Sequence, residues 1–253
     1  MIGGAAALSI LGVAESGPPP PSPQQNLSLY RMSIERADKD ADRLRKDPTL
    51  KRDLARLEQV IAKAKTPADV LKDPEAMRAL LQSLGLADQA QYFGMAQKVL
   101  LSDPKDPKSI VSRLRDARWR SATEQLDFAK SGLKRLQDPA FRKILVDGLV
   151  DYKRLTGIGE QSKAVSDALY IRKMQDGKTP DVYSVLGDPV LRRVATTLAG
   201  LPPQLAIQSV ESQARSLTSR FDLKQFADPK QREKLIQRYL ITSATQNGLS
   251  FMA

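Results

Sequence analysis

The sequence contains no cysteine and no histidine among its 253 residues. Without cysteine there can be no disulfide and no thiolate nucleophile, and cysteine pairing gives no indication of the redox compartment. Without histidine the chain lacks the most common general base and the most common transition-metal ligand. Serine–histidine–aspartate triads, cysteine–histidine pairs and histidine-based zinc sites are therefore excluded.

Aromatic residues are scarce, at 5% of the chain, whereas 41% of the residues are hydrophobic and 27% are charged. This composition is typical of an ordinary globular protein whose core is built from leucine, alanine and valine. An enzyme with this inventory would have to use carboxylate, lysine or tyrosine chemistry, and no arrangement of these residues stands out. The sequence therefore predicts a non-enzymatic protein with no catalytic, metal-binding or cofactor-binding residues and no cofactor.

Residues 1–26 are predicted to form a disordered tail and a proline-rich linker. Their apolar run of about a dozen residues is too short to span a bilayer. No lysine or arginine precedes that run, as one would in a secretory signal. The prolines between Pro18 and Pro23 favour an extended polyproline II spacer. We expect neither a transmembrane segment nor a Sec signal.

Apolar residues recur at helical spacing from Asn26 onward and lie along one face of a helix. They are Leu27, Tyr30, Ile34, Ala37, Ala41 and Leu44. The spacing predicts one helix of about five turns. Its phase is broken at Asp47-Pro48, where a second helix is expected to begin.

Aspartate followed by proline occurs seven times in the chain. Aspartate is a favoured N-cap because its carboxylate accepts a hydrogen bond from a free amide of the first turn, and proline at the next position sacrifices no needed donor. We therefore interpret these aspartates as helix N-caps: Asp47, Asp73, Asp103, Asp106, Asp138, Asp188 and Asp228. No run of alternating β-branched residues is long enough to predict a strand.

Residues 65–86 have a partial echo in residues 178–201, with shared Thr-Pro, Asp-Pro and Gly-Leu pairs. The echo predicts an all-α, multi-helix array of two related helical lobes joined by a long helical connector, with the tail in front. The predicted boundaries are 1–26 for the tail and linker, 27–128 for the first lobe, 129–177 for the connector and 178–253 for the second lobe. The length of the connector predicts one long helix or two, interrupted near Gly157 and Gly159.

Several segments resemble alphaproteobacterial domain-of-unknown-function family number 1217, whose genes often lie among flagellar genes. They are "DPTLKRDLARLEQVIAKAKTPADVL", "SLGLADQAQYFGMAQKVLLSDPKDPKSIVSRLRDARWRSATEQLDF", "GEQSKAVSDALYIRK" and "YSVLGDPVLRRVATTLAGLP". Together they cover most of the chain after about residue 27. The resemblance implies an all-helical protein associated with the flagellum, with no established catalytic residue to carry over.

The chain is basic, with 40 lysines and arginines against 29 aspartates and glutamates, for a net charge of +11. A basic body can attract nucleic acid, anionic lipid or an acidic protein. The densest patch is "RLRDARWR", where Arg113, Arg115, Arg118 and Arg120 surround Trp119. These five residues are candidates for contact with a partner or a nucleic acid, with arginines on phosphates and the indole stacked on a base. The simpler interpretation, which we favour, is that Trp119 anchors its helix to the core.

Two functional hypotheses follow. The first is a structural or assembly protein of the bacterial flagellar apparatus, with flagellar proteins as partners. It would be located in the cytoplasm or at the flagellum, with export through the flagellar channel as a further option. The second is nucleic-acid binding through the basic body. A carboxylate-dependent enzyme is a distant third for which the sequence nominates no site, and the sequence does not indicate an oligomeric state.

Overall fold

The computed structural model describes residues 21–250, so residues 1–20 of the predicted tail lie outside the described part. Within that part the chain forms α-helices and short 3-10 helices and no strand, which confirms the predicted all-α class. In chain order the α-helices are α1 (Pro23–Glu35), α2 (Ala37–Arg45), α3 (Pro48–Lys63), α4 (Pro67–Lys72), α5 (Pro74–Ser83), α6 (Phe93–Leu100), α7 (Ile110–Arg113), α8 (Ala117–Leu126), α9 (Phe128–Ser131), α10 (Lys134–Gln137), α11 (Pro139–Gln161), α12 (Lys163–Arg172), α13 (Val182–Gly187), α14 (Pro189–Leu198), α15 (Val210–Thr218) and α16 (Pro229–Ser250). The 3-10 helices are Ala87–Gln89, Pro203–Ile207 and Leu223–Phe226.

The first predicted helix differs from the observed one at both ends. It begins at Pro23, because the Ser22 hydroxyl and the Gln25 side chain form a reciprocal capping box with each other's backbone amides. It ends at Glu35, because Arg36 leaves helical geometry with φ −95° and ψ 5°. The predicted five-turn helix is therefore two helices, α1 and α2.

Most of the Asp-Pro aspartates lie at helix starts, where their carboxylates accept backbone amides. The amide donors are Leu50 for Asp47, Ala76 for Asp73, Ala140 for Asp138, Leu191 for Asp188 and Gln231 for Asp228. Asp106 differs, because its carboxylate accepts the amide of Lys108 within a turn and the next helix is capped by Ser109. Asp103 closes a similar turn on Lys105. At these two positions a second capping side chain or a tight turn follows too closely for the aspartate to start a helix.

The two echoed segments have the same local structure. Each consists of a six-residue helix, a capping aspartate and a ten-residue helix, which are α4 and α5 in the first segment and α13 and α14 in the second. Each then turns at a glycine with positive φ, Gly85 or Gly200. That the two whole lobes are related stays a prediction.

Two large hydrophobic clusters form the core, and α11 runs between them. The first cluster includes Leu81, Leu100 and Trp119, and it draws on α3 to α11. The second includes Val194 and Leu240, and it draws on α11 to α16 together with α1. A small third cluster joins α3 to the middle of α11. The predicted domain boundaries stay a prediction, since a hydrophobic cluster is not by itself a folding unit.

Helix α1 lies against α16, far along the chain. The side-chain amide nitrogen of Asn26, Nδ2, donates to the carbonyl oxygen of Leu240 at 3.2 Å. The hydroxyl of Ser162 donates to the side-chain oxygen of Asn26 at 2.7 Å. The Tyr30 hydroxyl donates to Glu233 at 3.0 Å. Asn26, Tyr30 and Ser162 are all buried, so these hydrogen bonds fix the position of α1.

Helix α11 continues through Gly157 and Gly159 and ends at Gln161, where Ser162 caps the next helix, so the glycine pair does not interrupt it. A Cβ on Gly157 would meet nothing within 4 Å, so that position is spacious. Gly148 is different, because a Cβ there would lie 2.2 Å from the carbonyl oxygen of Ser83 in α5. Glycine at 148 therefore allows α11 and α5 to pack backbone against backbone.

Candidate functional site

The candidate residues of the basic patch lie where the two large clusters meet. We call residues 113–120 the junction segment. Asp116 caps α8 by accepting the amide of Arg118 at 3.0 Å. The side chain of Trp119, only 2% exposed, packs in the first cluster. The indole is therefore not available for stacking on a base.

Arg118 binds carboxylates rather than solvent, since its side chain is 14% exposed. Its guanidinium donates to Asp116 at 2.7 Å and to Asp88 at 2.9 Å, and it also reaches the carbonyl oxygen of Gly85 at 2.9 Å. These bonds tie α8 to the turn and 3-10 helix that follow α5. The guanidinium thus holds three separate stretches of the first cluster together.

The same guanidinium reaches the second cluster. Its Nε lies 3.8 Å from the carboxylate of Asp188, which is 5% exposed. That carboxylate caps α14 through the amides of Val190 and Leu191 and accepts the hydroxyl of Tyr170 at 2.6 Å. Arg118 is therefore the cation of an ionic network shared by both clusters. We call it the Arg118 network: Asp88, Asp116, Arg118, Tyr170 and Asp188.

Two further contacts join the junction segment to the second cluster. Arg115 donates to Glu211 of α15 at 3.3 Å, and its guanidinium lies 5.2 Å from the centre of the Tyr183 ring. Gly187, at the end of α13, lies so close to the Asp116 backbone that a Cβ there would come within 2.9 Å of it. The junction segment thus contacts the second cluster through Arg115 and Asp116 as well as through Arg118.

One side of the junction faces a cleft of about 630 Å³ along α11. Its lining includes Ser83, Asp88, Arg118, Gly148, Asp151 and Tyr170. Most of its charged groups already have partners: Asp151 binds Lys173, and Asp167, deeper in the lining, binds Arg193 and Tyr239. Asp88, Arg118, Asp151 and Asp167 are thus paired, whereas Glu160 and Lys163 of the same lining form no ion pair in the described chain.

The opposite side of the junction faces a second cavity of about 520 Å³, which we call the basic groove. Its principal lining residues are Leu114, Arg115, Ala117, Arg120, Met174 and Lys178. Arg120 donates to the carbonyl oxygen of Pro104 at 2.9 Å. Across residues 21–250, no carboxylate lies within 4 Å of the charged nitrogens of Arg120 or Lys178. The groove thus carries two cations, Arg120 and Lys178, that have no acidic partner in the described chain.

Burial and charge shift the pKa values of the Arg118 network. Burial alone would lower the pKa of Arg118, but its hydrogen bonds to Asp116 and Asp88 outweigh burial and raise it. Burial alone would raise the pKa of Asp88, but the hydrogen bond and charge of Arg118 outweigh it and lower the pKa. Burial, reinforced by the charge of Asp188, raises the pKa of Tyr170. The network therefore keeps Arg118 and Asp88 charged and Tyr170 neutral.

Alkaline pH is expected to destabilise the protein through its buried tyrosines. Burial raises the pKa of Tyr30 to about 12, and it also raises the pKa of Tyr170 and Tyr239. In the unfolded chain the pKa of a tyrosine is about 10. The stabilising effect of Tyr30 is thus fully present below pH 10 and is lost as pH rises toward 12.

Urea unfolding followed by circular dichroism across this pH window should show the loss. A Tyr30→Phe variant should show a shallower decline, whereas Tyr92→Phe, at a side chain that is 54% exposed, should follow the wild type. Parallel curves for wild type and Tyr30→Phe would contradict the assignment to Tyr30.

The structure separates the five candidate contact residues into two groups. Arg118 and Trp119 are enclosed, whereas Arg113, Arg115 and Arg120 are exposed. Their role in contacting a partner stays a prediction.

Sequence reasoning did not nominate Asp88 and Tyr170 of the network, or Lys178 of the groove. These residues are distant from the patch in sequence, and no local pattern marks them.

Two further observations concern the described helices. None of the helices between residues 21 and 250 is both long enough and apolar enough to cross a membrane. In the same stretch, no group of three or more acidic residues is arranged to hold a metal ion.

Comparison with known proteins gives a family and a fold. The model of a family described as "Protein of unknown function (DUF1217)" matches residues 83–231. The crystal structure of protein AGR_C_984 from Agrobacterium tumefaciens is similar, with a TM-score of 0.74 and 23% sequence identity, over 92% of this chain and 99% of that one. No curated protein matches the chain. At this identity the structural likeness concerns the fold alone.

Proposed function

Since the chain belongs to the DUF1217 family of proteins of unknown function, we propose that it is a non-enzymatic structural or assembly protein that acts through protein–protein contacts of its helix faces. We further propose that it works with the bacterial flagellar apparatus, with flagellar proteins as its partners. The flagellar part of the proposal comes from the resemblance noted in the sequence. The protein-contact part is supported by one feature of the surface.

That feature is a concentration of exposed apolar side chains around α6. Among the described residues, nine large apolar side chains are exposed, and four of them lie between residues 92 and 110. They are Tyr92, Met95, Leu101 and Ile110, which we call the α6 face. Helices α6 and α7 contact one another, so the four residues lie on adjoining elements.

The α6 face is expected to bind a protein because exposed apolar area is costly in water, at about 25 cal/mol per Å². Single exposed apolar residues are common on protein surfaces, whereas grouped ones mark contact sites. Helix α6 is anchored, since Ala96, Val99 and Leu100 are fully buried in the first cluster. The helix is therefore presented to a partner on a rigid support.

Making the α6 face polar is expected to reduce recovery of partners. In a Tyr92→Ser, Met95→Gln double variant, capture of flagellar proteins from motile cells should fall about tenfold, as for loss of two central contact residues. The free energy of unfolding should change by less than about 0.5 kcal/mol, because both side chains face solvent. Affinity recovery followed by mass spectrometry provides the measurement, with swimming in soft agar as a second one.

Ile144→Gln is the matched control, because Ile144 has the same 54% exposure as Tyr92 and lies on α11. It should recover partners as the wild type does. Equal recovery by the double variant would count against the α6 face. Intact motility and unaltered basal bodies after removal of the gene would count against the flagellar role.

The alternative is nucleic-acid binding. The exposed guanidinium groups of Arg113, Arg115 and Arg120 support it, since phosphates bind such groups. The enclosed positions of Trp119 and Arg118 weaken it, because the patch then offers neither its stacking ring nor its central cation. Protein contact is therefore the better-supported function.

A further inference from the structure

We propose that the basic groove binds an acidic segment of a protein partner, with carboxylates on Arg120 and Lys178 and an apolar side chain on the floor between them. This inference rests on the proposed protein-contact function and adds a second surface to it, together with the chemistry of the partner. The groove lies beside the junction segment and is separate from the α6 face.

The charge of the groove selects an acidic partner. Arg115, Arg120 and Lys178 contribute three cations to its lining, against one carboxylate, Asp181. That carboxylate is already occupied, because it accepts the amides of Tyr183 and Ser184 as the N-cap of α13. The hydrogen bonds leave that carboxylate charged, so the lining carries three positive charges against one negative charge and has a positive excess of two.

The arginines are held in position for a carboxylate. The bond from Arg120 to Pro104 orients its guanidinium and uses only part of its hydrogen-bonding capacity, because a guanidinium has five donors. Arg115 already binds one carboxylate, that of Glu211, through an exposed pair. A carboxylate from a partner can therefore bind Arg120 directly and compete with Glu211 for Arg115.

The far wall of the groove is also fixed. The loop that carries Met174 and Lys178 is held by a hydrogen bond from the Gly177 amide to the Ala227 carbonyl oxygen at 2.9 Å and by an ion pair between Asp176 and the buried Arg232. A preformed wall lowers the ordering cost of binding. The cavity is thus ready to accept a ligand without rearrangement.

The floor distinguishes a peptide from a nucleic acid. Leu114 and Met174 are half-buried and present apolar surface inside the cavity. A single-stranded nucleic acid would gain further affinity by stacking its bases on an open aromatic ring, but Trp119 is buried and Arg115 lies over Tyr183. An apolar side chain flanked by carboxylates uses both the floor and the cations, which is the pattern of acidic-motif recognition by arginine clusters.

Fluorescence anisotropy with a labelled acidic peptide tests the proposal on the full chain. The probe is Gly-Ser-Asp-Leu-Asp-Glu-Leu-Asp-Gly, and its matched comparison replaces each leucine with serine. We expect the leucine peptide to bind more tightly. An Arg120→Glu, Lys178→Glu variant should weaken its binding about tenfold, because two attractive charges become repulsive. Ala117→Trp, which fills the cavity without changing charge, should weaken it as well.

Arg43→Glu, Lys51→Glu is the charge-matched control, because both residues are exposed and lie on α2 and α3. It should bind the peptide as the wild type does. Circular dichroism verifies that each variant is folded. Peptide binding that survives both groove variants would overturn the proposal, as would a failure of the peptide to bind at all.

A single-stranded DNA oligonucleotide serves as the competing probe. If the DNA binds with a steep salt dependence and loses affinity in the Arg120→Glu, Lys178→Glu variant while the peptide does not bind, the groove is a nucleic-acid site and the proposal is wrong. The proposed function is tested separately by partner recovery through the α6 face. It can therefore hold when the groove proposal fails.

Discussion

Replacing Gly148 with alanine is expected to lower the free energy of unfolding by about 3 kcal/mol, the upper end of the usual cost of overpacking. The added Cβ would lie 2.2 Å from the carbonyl oxygen of Ser83, and backbone atoms of α5 cannot rotate away as a side chain could. Helices α5 and α11 would have to separate, and both contribute to the first cluster. For a protein of this size the midpoint of thermal unfolding should fall by about 6–12 °C.

Gly157→Ala is the control for this prediction, since both glycines lie in α11. Because a Cβ at 157 would meet nothing within 4 Å, that variant should gain about 0.5–1 kcal/mol from the higher helix propensity of alanine. Thermal unfolding followed by circular dichroism measures both. Equal effects of the two substitutions would mean that the close approach at Gly148 does not constrain the packing.

Replacing Arg118 with methionine is expected to cost about 3–5 kcal/mol at neutral pH, the usual penalty for removing one partner of a buried ion pair. Methionine keeps much of the side-chain volume but leaves Asp88 and Asp116 without their cation, and Asp188 without its nearest one. Of these, Asp116 and Asp188 have side chains only 12% and 5% exposed, so solvent cannot replace the guanidinium.

The pH dependence of the Arg118→Met variant separates loss of charge from loss of packing. In the wild type the lowered pKa of Asp88 stabilises the fold above the unfolded pKa, and this stabilisation is lost as pH falls through the folded value. Without Arg118 the Asp88 carboxylate becomes easier to protonate, so the variant should lose less stability on acidification than the wild type. Urea unfolding at pH 7 and at a pH below about 3.9, the ordinary pKa of an aspartate, measures the difference.

Arg45→Met is the matched control for Arg118→Met. Arg45 also pairs with two carboxylates, Asp42 and Asp147, but its side chain is 44% exposed. Its replacement should therefore leave the free energy of unfolding close to the wild-type value. Similar costs for the two variants would show that burial of the Arg118 network is not what makes it stabilising.

The class of the fold was predictable because its signals are local. An Asp-Pro pair specifies a helix start within one turn, and apolar spacing specifies the buried face, so both can be read without knowing the rest of the molecule. The same locality explains one error, the start of the first helix. The capping box of Ser22 and Gln25 was present in the sequence but was hidden by the surrounding prolines.

The junction could not be predicted, because its geometry depends on contacts between distant residues. The sequence shows Arg118 and Trp119 as members of one basic patch, and nothing local indicates that both turn inward while Arg115 and Arg120 remain outside. The partners of Arg118 are 30 residues away at Asp88 and far downstream at Asp188. Gly148 likewise carries no local sign of its contact with Ser83. Only the packed structure defines these pairs.

The pairing of α1 with α16 has a consequence for synthesis of the chain. Asn26 and its hydrogen-bond partner Leu240 are 214 residues apart. At usual translation rates, α1 therefore waits about 10–40 s after leaving the ribosome before its binding surface on α16 exists. During that interval Leu27, Tyr30 and Ile34 lack the part of their native surface that α16 supplies, whereas the first cluster can already assemble around α5 and α8. A chaperone that shields nascent apolar helices would act on this protein at α1.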